Sequence, residues 1–177
     1  MAAYLLSKSG REMAFVKLMK LLYLSDRKSL ENYGYSISGD RFYSMNLGPV
    51  LSQTYSLERD GSETHNNGWD SWIMDLANHN VGLKRKFNKV EELDELSRAD
   101  IMSMDTVFQM YGDWEPFALC RETHRICKEW QNPHGSSIPI PVKDIFIALG
   151  KDEDTASALA RNIAEHEQLE RVTEDLR

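Results

Sequence analysis

Apolar residues recur with a helical period in the first long patterned segment of the chain. From about Glu12 to Tyr33, the apolar positions fall on one face of a helical wheel, and charged positions such as Lys20 fall on the other. Ser9 and Glu12 have the spacing of a capping box, and Gly34 stands where a left-handed C-cap would end the helix. The pattern therefore predicts one amphipathic helix over this segment.

The helical period is lost in the stretch that follows. Between Ser36 and Leu47 the apolar residues lie among serine, glycine and aspartate, which indicates an extended segment with a turn at Ser38-Gly39-Asp40. Proline is tolerated in the first turn of a helix, so Gly48-Pro49-Val50 predicts a new helix that ends before Asp60-Gly61. Residues 61–68 are polar and are predicted to form a loop.

The middle of the chain alternates between apolar and polar residues with a period of two. Trp72, Met74 and Leu76 alternate with polar residues on one predicted arm, and a similar pattern follows the turn Asn78-His79-Asn80. This pattern predicts a β-hairpin over residues 69–87.

Helical periodicity returns from about Ser97. One predicted helix ends at Gly112, and a second runs from Pro116 to about Trp130. After a proline-rich loop, a short helix over residues 141–150 and an amphipathic helix over residues 152–171 complete the chain. The predicted fold class is therefore α+β: about six helices and a small antiparallel hairpin or sheet in a compact single domain. Residues 1–150 are assigned to this domain, and residues 151–177 to a C-terminal helix that packs on it or extends it.

Composition limits the classes of function. The 177 residues fit one domain, and their net charge of −7 argues against nucleic acid as a partner but suits a basic one. No apolar run is long enough to span a bilayer, and the N-terminal residues do not resemble a signal peptide. Two cysteines cannot make a disulfide framework, so we expect a cytoplasmic protein.

Residues able to carry catalysis or bind metal are few. Cys120, His124 and Cys127 share one helical stripe, but three ligands spread along about 10 Å of helix cannot converge on one ion. The chain has no phosphate-binding glycine loop, no serine nucleophile elbow and no His-Glu-x-x-His motif. The sequence therefore predicts no catalytic residue, no metal site and no cofactor.

Three motifs together resemble one known family. They are Lys17 to Arg27, then Ser38-Gly39-Asp40 with Gly48-Pro49-Val50, and then Thr123-His124 six residues before Trp130. Their order, spacing and residue types resemble the SocA-like antitoxins, also called the Panacea domain family, over roughly residues 12–130.

The resemblance implies an antitoxin of a two-gene toxin–antitoxin system in a bacterium or phage. Such a protein would neutralise a cognate protein toxin, encoded by the adjacent gene, by direct and stoichiometric binding, and it would not be an enzyme. Two alternatives remain open: an adaptor that delivers the toxin to a AAA+ protease, and an enzyme that reverses the toxin's modification. A DNA-binding autorepressor is disfavoured by the net charge.

The candidate site combines the family motifs with one exposed aromatic residue. Its members, either toxin-contacting or family-motif residues, are Tyr23, Asp26, Arg27, Asp40, Gly48, Pro49, Val50, Trp72, Thr123, His124 and Trp130. Trp72 is included because tryptophan often anchors protein interfaces, although it could equally pack on the helices. The expected toxin-binding surface combines the segment from Ser38 to Val50 with the hairpin around Trp72.

Asp26 and Tyr23 lead to specific structural expectations. Asp26 falls on the apolar face of its helix, and an unpaired buried carboxylate is costly. We therefore expect hydroxyl and backbone groups between Ser38 and Tyr43 to hydrogen-bond to it and pin the extended segment to the helix. Tyr23 is expected to be a half-buried core residue, or alternatively to present its hydroxyl at the edge of a groove.

Overall fold

The computed structural model describes residues 1–59, 68–87, 89–93 and 95–174. These residues form eight α-helices and six β-strands, so the predicted α+β class is confirmed with more helices than expected. The helices are α1 (Ala2–Lys8), α2 (Phe15–Tyr33), α3 (Ser52–Arg59), α4 (Trp69–Trp72), α5 (Arg98–Tyr111), α6 (Pro116–Ile126), α7 (Val142–Ala148) and α8 (Glu153–Glu174). The strands are β1 (Glu12–Ala14), β2 (Phe42–Met45), β3 (Gly48–Leu51), β4 (Ile73–Leu76), β5 (Asn80–Leu83) and β6 (Ile138–Ile140).

The strands form two small antiparallel sheets. One has the order β1-β5-β4, and the other has the order β3-β2-β6. In the second sheet Phe42 of β2 lies opposite Leu51 of β3 on one side and Ile140 of β6 on the other. The sheet therefore joins residues from the first third of the chain to a strand that lies about ninety positions later.

Helix α2 lies at the centre of the core. It packs against α5, α6 and strand β3, and side chains around its whole circumference are buried, including Leu18, Leu21 and Leu24. A helix that is covered on every side must bury its polar side chains as well as its apolar ones. This arrangement puts polar residues of α2 in contact with strand β3 and with α6.

The predicted start of the first helix is wrong. Glu12 belongs to β1, which pairs with β5, and α2 begins only at Phe15. The Ser9 hydroxyl donates to the Glu12 carbonyl instead of capping a helix. The C-cap prediction is confirmed, because Gly34 adopts a φ of 78° and its amide donates to the Leu30 carbonyl. Helix α1 was not predicted.

The predicted helix start at Gly48-Pro49-Val50 is also wrong. These residues begin strand β3, and the helix starts three residues later, at Ser52. Gly48 has a φ of 105°, a conformation suited to the tight turn between β2 and β3. Pro49 lacks an amide proton, but β3 is an edge strand of its sheet, where proline is tolerated.

The predicted hairpin over residues 69–87 is confirmed in part. Strands β4 and β5 pair around a turn at residues 77–79, but Trp69–Trp72 forms one helical turn instead of strand. The inward face of β4 carries buried Ile73, whereas Met74, predicted to share a face with Trp72, is 42% exposed. Of the predicted polar loop, residues 61–67 lie outside the described residues.

The C-terminal part largely follows the prediction. Helix α5 ends at Gly112 as expected, but α6 stops at Ile126, before Trp130, and β6 interrupts the predicted proline-rich loop. Helix α8 packs on α7, and its Ala156 is fully buried. In the ranges that the structure describes, no helix combines the length and apolar character required to cross a membrane.

Candidate functional site

Asp26 joins α2 to the segment that precedes β2. Its Oδ1 accepts hydrogen bonds from the amides of Ile37, at 2.9 Å, and Ser38, at 3.1 Å. Its Oδ2 accepts from the hydroxyls of Ser36, at 2.9 Å, and Ser38. The expected pinning of the extended segment is therefore confirmed, but of the predicted range from Ser38 to Tyr43 only Ser38 contributes, and Ser36 and Ile37 lie before it. Burial raises the pKa of Asp26 to about 6, although the four hydrogen bonds oppose that rise.

Asp40 caps the helix that follows the β2–β3 hairpin. Its carboxylate accepts hydrogen bonds from the amides of Gln53 and Thr54, both at 2.9 Å, and from the Thr54 hydroxyl. The first amides of a helix have no partner within the helix, so a carboxylate there satisfies them and interacts favourably with the helix dipole. Asp40 thus fixes the direction in which α3 leaves the hairpin.

Tyr23 and Arg27 both bind one buried carboxylate. The Tyr23 hydroxyl donates to Glu129 Oε1 at 2.8 Å, and Arg27 Nε donates to the same oxygen at 2.7 Å. Tyr23 is fully buried, so the expectation of a half-buried residue or a groove edge is wrong. Burial and the neighbouring Glu129 raise the pKa of Tyr23 well above its ordinary value.

Glu129 was missed by the sequence analysis. Its side chain is fully shielded from solvent, and it ties the segment after α6 to the middle of α2. A signal was available, because a single acidic residue stands between the apolar residues Cys127 and Trp130 at the end of a predicted helix. The ion pair between Arg27 and Glu129 therefore joins the first sequence motif to the stretch that contains the third.

Gly48 lies directly against α6. A Cβ atom at this position would lie 2.6 Å from Thr123 Oγ1 and 3.3 Å from the His124 ring. The positive φ already favours glycine, and the close approach of Thr123 leaves no room for a side chain. The Thr123 hydroxyl donates to the Cys120 carbonyl at 2.8 Å and is thereby held in place. The second and third sequence motifs meet at this contact.

Trp130 holds the end of β2. Its Nε1 donates to the Met45 carbonyl at 3.0 Å, and its indole stacks on the His124 ring with a centroid distance of 3.9 Å. His124 Nε2 is buried, and none of the described residues hydrogen-bonds to it. Burial, assisted by the charge of Lys20, lowers the pKa of His124.

Lys20 of α2 is buried beside the β2–β3 hairpin. The helical pattern predicts that Lys20 lies on the solvent face of α2, but it is only 1% exposed, so that prediction is wrong. Its Nζ donates to the Pro49 carbonyl at 2.9 Å, and burial lowers its pKa to about 8. A signal was present, because Lys20 is flanked by Leu18-Met19 and Leu21-Leu22, an apolar run too wide for a half-exposed helix.

A cavity of about 710 Å³ opens between the two hairpins next to Lys20. One side is formed by the β2–β3 turn, residues 45–47, and another by Asn78 and His79 of the β4–β5 turn. Val50, which is 3% exposed, contributes to the wall from β3. Leu47 and Phe117 also line the cavity and are 48% and 53% exposed, so an apolar surface continues from the cavity to solvent.

Trp72 lies apart from this arrangement. Its ring packs edge-on against Phe87 with a centroid distance of 5.9 Å, and the Arg85 guanidinium lies 3.5 Å from its ring centroid. It does not line the cavity, which the same hairpin reaches through its turn. The other candidate residues lie on or beside α2, the β2–β3 hairpin and α6, three elements in mutual contact.

The two thiols are unsuited to nucleophilic catalysis. Burial raises the pKa of Cys127 to about 12 and also raises that of Cys120. A protonated thiol is a poor nucleophile and a poor metal ligand. Across the described ranges, no three His, Cys, Asp or Glu side chains are grouped so that they could hold a metal ion.

Comparison with known proteins identifies one family. The family model described as antitoxin SocA-like, Panacea domain, matches residues 18–131. The matched region begins within α2, includes the β2–β3 hairpin and ends just after Trp130, so it contains the contacts described above. Comparisons with curated proteins and with solved structures give no match.

Proposed function

Because the chain belongs to the SocA-like antitoxin family, which is defined by the Panacea domain, we propose that it neutralises a cognate protein toxin by direct, stoichiometric binding. The observation that supports this most is the exposed apolar surface of Leu47 and Phe117 beside the cavity. Exposed apolar surface that is continuous with a concave site is typical of an interface. We further propose that the toxin is encoded by the adjacent gene and is bound in the cytoplasm.

The family-motif residues would act by shaping this surface from within. Asp26 holds the segment that precedes β2, Trp130 holds the end of β2, and Gly48 allows the β2–β3 turn to lie against α6. Contact with the toxin would then fall to the turn at residues 45–47 and to Phe117. A rigid, preorganised turn loses little conformational entropy on binding, which favours a tight complex.

The charge of the chain favours a basic toxin. The net charge is −7, and residues 61–177 carry all of the acidic excess, with 22 acidic and 13 basic side chains. Complementary charge accelerates association more than it strengthens the final complex. We therefore expect the association rate with the toxin to fall as the salt concentration rises.

Titration of the toxin tests the proposal directly. The full chain and the product of the adjacent gene would be co-expressed, purified and measured by size-exclusion chromatography with mass analysis. We expect a stable complex and inhibition that is complete at a fixed ratio of antitoxin to toxin. Neutralisation at substoichiometric amounts would instead favour an enzyme. Loss of the toxin only when a AAA+ protease is present would favour an adaptor.

A pair of surface variants tests the proposed interface. Leu47→Asp places a charge in the apolar surface beside the cavity, and we expect it to weaken neutralisation at least tenfold. Met102→Asp is the matched control, because Met102 is 61% exposed on α5 and does not line the cavity. Equal neutralisation by both variants, with both folded, would contradict the proposed surface.

A further inference from the structure

Lys20 is one of the residues that line the cavity, and its buried ammonium group has no anionic partner among the described residues. Its Nζ has one hydrogen-bond acceptor among the described residues, the neutral carbonyl of Pro49. The ion pairs formed by those residues do not include Lys20. An ammonium group has three donors, and the described residues accept from one of them.

An unpaired buried charge is unfavourable for folding alone. Moving an ammonium from water into the protein interior loses its hydration, and a single neutral carbonyl does not restore it. Burial lowers the pKa of Lys20 only to about 8, so the group still carries its charge at neutral pH. Residues whose burial is costly for stability often serve binding instead, and the chemistry that pairs with a lysine ammonium is that of an anion.

The rest of the wall determines what can accompany that anion. Phe15, Val16 and Met19 contribute apolar surface from α2, and Val50 does so from β3. Amide and hydroxyl groups are supplied by Asn46, Asn78 and Ser136. A ligand that fits this wall would combine one carboxylate with neighbouring apolar groups.

We propose that the cavity binds an acidic side chain of the toxin, flanked by apolar residues, and that its carboxylate pairs with the Lys20 ammonium. The inference rests on the proposed function and names the chemistry of the toxin segment. A carboxylate at this place would accept hydrogen bonds from Lys20 in a site shielded from water, where such a pair is strong. The flanking apolar residues would cover Leu47 and Phe117.

The exposed surface favours a protein segment of the toxin as the occupant. Leu47 and Phe117 extend the apolar area past the cavity mouth, which a small carboxylate inside the cavity would leave uncovered. A second copy of this chain would also have to approach against a net charge of −7 on each molecule. A toxin segment satisfies both the buried cation and the exposed apolar surface.

Peptide selection tests the chemistry without a known toxin. A displayed library of random nine-residue peptides would be selected on the immobilised full chain, on Lys20→Met and on Lys17→Met. Lys17 is the matched control, because it lies one turn earlier on α2 and does not line the cavity. We expect the wild type and Lys17→Met to select peptides with Asp or Glu beside apolar residues, and Lys20→Met to lose that preference.

Individual peptides make the test quantitative. Replacing the selected acid by its amide should lower the affinity for the wild type at least tenfold and leave the affinity for Lys20→Met unchanged. Selection without acidic residues, or equal binding of acid and amide, would overturn the inference. Equally tight binding of a short-chain fatty acid would overturn the protein segment as occupant. Self-association of the chain that depends on Lys20 would overturn it in favour of a second copy.

Folding of the Lys20 variant can be checked independently. Lys20→Met removes a buried charge and keeps an unbranched apolar stem, so its melting temperature should not fall below that of the wild type. NMR of isotope-labelled lysine provides a second readout that needs no variant. Addition of a selected acidic peptide should raise the pKa of Lys20, and its amide form should not. An unchanged pKa would contradict the contact.

Toxin neutralisation separates this inference from the function on which it rests. If the wild type and Lys17→Met neutralise the product of the adjacent gene and Lys20→Met does not, the inference is supported. If all three neutralise it, the inference fails and the proposed function stands. If none neutralises it, the proposed function fails, and the toxin fails as the occupant.

Discussion

Gly48 connects two sequence motifs through a contact that no other residue permits. Replacing it with alanine would introduce a methyl group 2.6 Å from Thr123 Oγ1, in a backbone conformation with a φ of 105°. We expect Gly48→Ala to lower the free energy of unfolding by about 2–4 kcal/mol, because steric overlap adds to backbone strain. Urea denaturation followed by circular dichroism measures this change.

Gly150 provides the control for backbone strain alone. It has a φ of 89°, and a Cβ there would meet no atom within 4 Å. Gly150→Ala should therefore cost about 1 kcal/mol, the typical penalty of a left-handed conformation for alanine. Equal losses in Gly48→Ala and Gly150→Ala would mean that the contact with Thr123 contributes nothing.

Asp26 makes stability depend on pH with an unusual sign. Burial raises its pKa to about 6, above the ordinary value of 3.8, so the folded protein binds this proton more tightly than the unfolded chain does. The contribution of protonated Asp26 to the free energy of unfolding is therefore fully present below pH about 4 and is lost as the pH rises through about 6. A pKa shift of this size corresponds to about 3 kcal/mol in the free energy of unfolding.

Asp26→Asn isolates this contribution. Asparagine keeps an oxygen that can accept from the amides of Ile37 and Ser38 but does not titrate. We expect the free energy of unfolding of the wild type, relative to Asp26→Asn, to fall between pH 4 and pH 7. Urea denaturation at several pH values, with NMR titration of the carboxyl carbon, measures it. A carboxyl that titrates near pH 4 would contradict the prediction.

At the scale of elements, the Glu129 network clamps α2 to the segment after α6. Glu129 is shielded from solvent, and Arg27 is its one cationic partner among the ion pairs of the described residues. Arg27→Met would leave a buried carboxylate uncompensated, so we expect it to lower the free energy of unfolding by about 3–5 kcal/mol. Chemical denaturation of purified variants measures this.

The double variant tests whether the loss of stability in Arg27→Met comes from the uncompensated buried charge of Glu129. Glu129→Gln removes the charge but keeps an oxygen for the Tyr23 hydroxyl. Arg27→Met with Glu129→Gln should therefore be more stable than Arg27→Met alone. If the double variant loses the sum of both single losses, the two side chains do not interact and the clamp is refuted.

The elements that the sequence predicted well are those with local signals. The end of α2 at Gly34 and the end of α5 at Gly112 depend on residues within one turn, and both are confirmed. Gly48-Pro49 is different, because a glycine followed by proline fits a helix start and a turn into an edge strand equally well. Pairing with β2 decides between them, and pairing is a property of the tertiary structure.

The contacts of the candidate site divide in the same way, into those between residues close in sequence and those between distant residues. The pinning of the following segment by Asp26 could be predicted, because its partners lie within twelve residues and a buried carboxylate must be satisfied, although Ser36 and Ile37 lie before the predicted range. The sequence around Lys20 and Glu129 carried a signal of burial, but their partners depend on which distant elements cover α2. The cavity likewise needs two hairpins to meet, and no periodicity in either one reports on the other.

At the scale of the whole molecule, helix α8 combines a packed first half with an exposed second half. Ala156 is fully buried, and Leu159 and Ile163 pack against the core. Leu169 and Val172, by contrast, are 65% and 53% exposed. The predicted boundary at residue 150 therefore falls before a segment whose first turns are built into the domain.

Two truncations test this division. Removal of residues 165–177 takes away side chains that, where the structure describes them, are largely exposed, so we expect the free energy of unfolding to stay within about 0.5 kcal/mol of the full chain. Removal of residues 151–177 also uncovers the core side of α7, so we expect a loss of about 2–5 kcal/mol from the lost apolar burial. Urea denaturation of both truncated chains measures these changes.

Neutralisation by the shorter truncation then assigns a role to the exposed half of α8. Because the proposed interface lies at the cavity between the two hairpins, removal of residues 165–177 should leave neutralisation of the toxin within twofold of the full chain. The acidic side chains removed would affect mainly the association rate, through long-range attraction. A stable truncated chain that no longer neutralises would instead place part of the toxin interface on α8, where Leu169 and Val172 offer apolar contact.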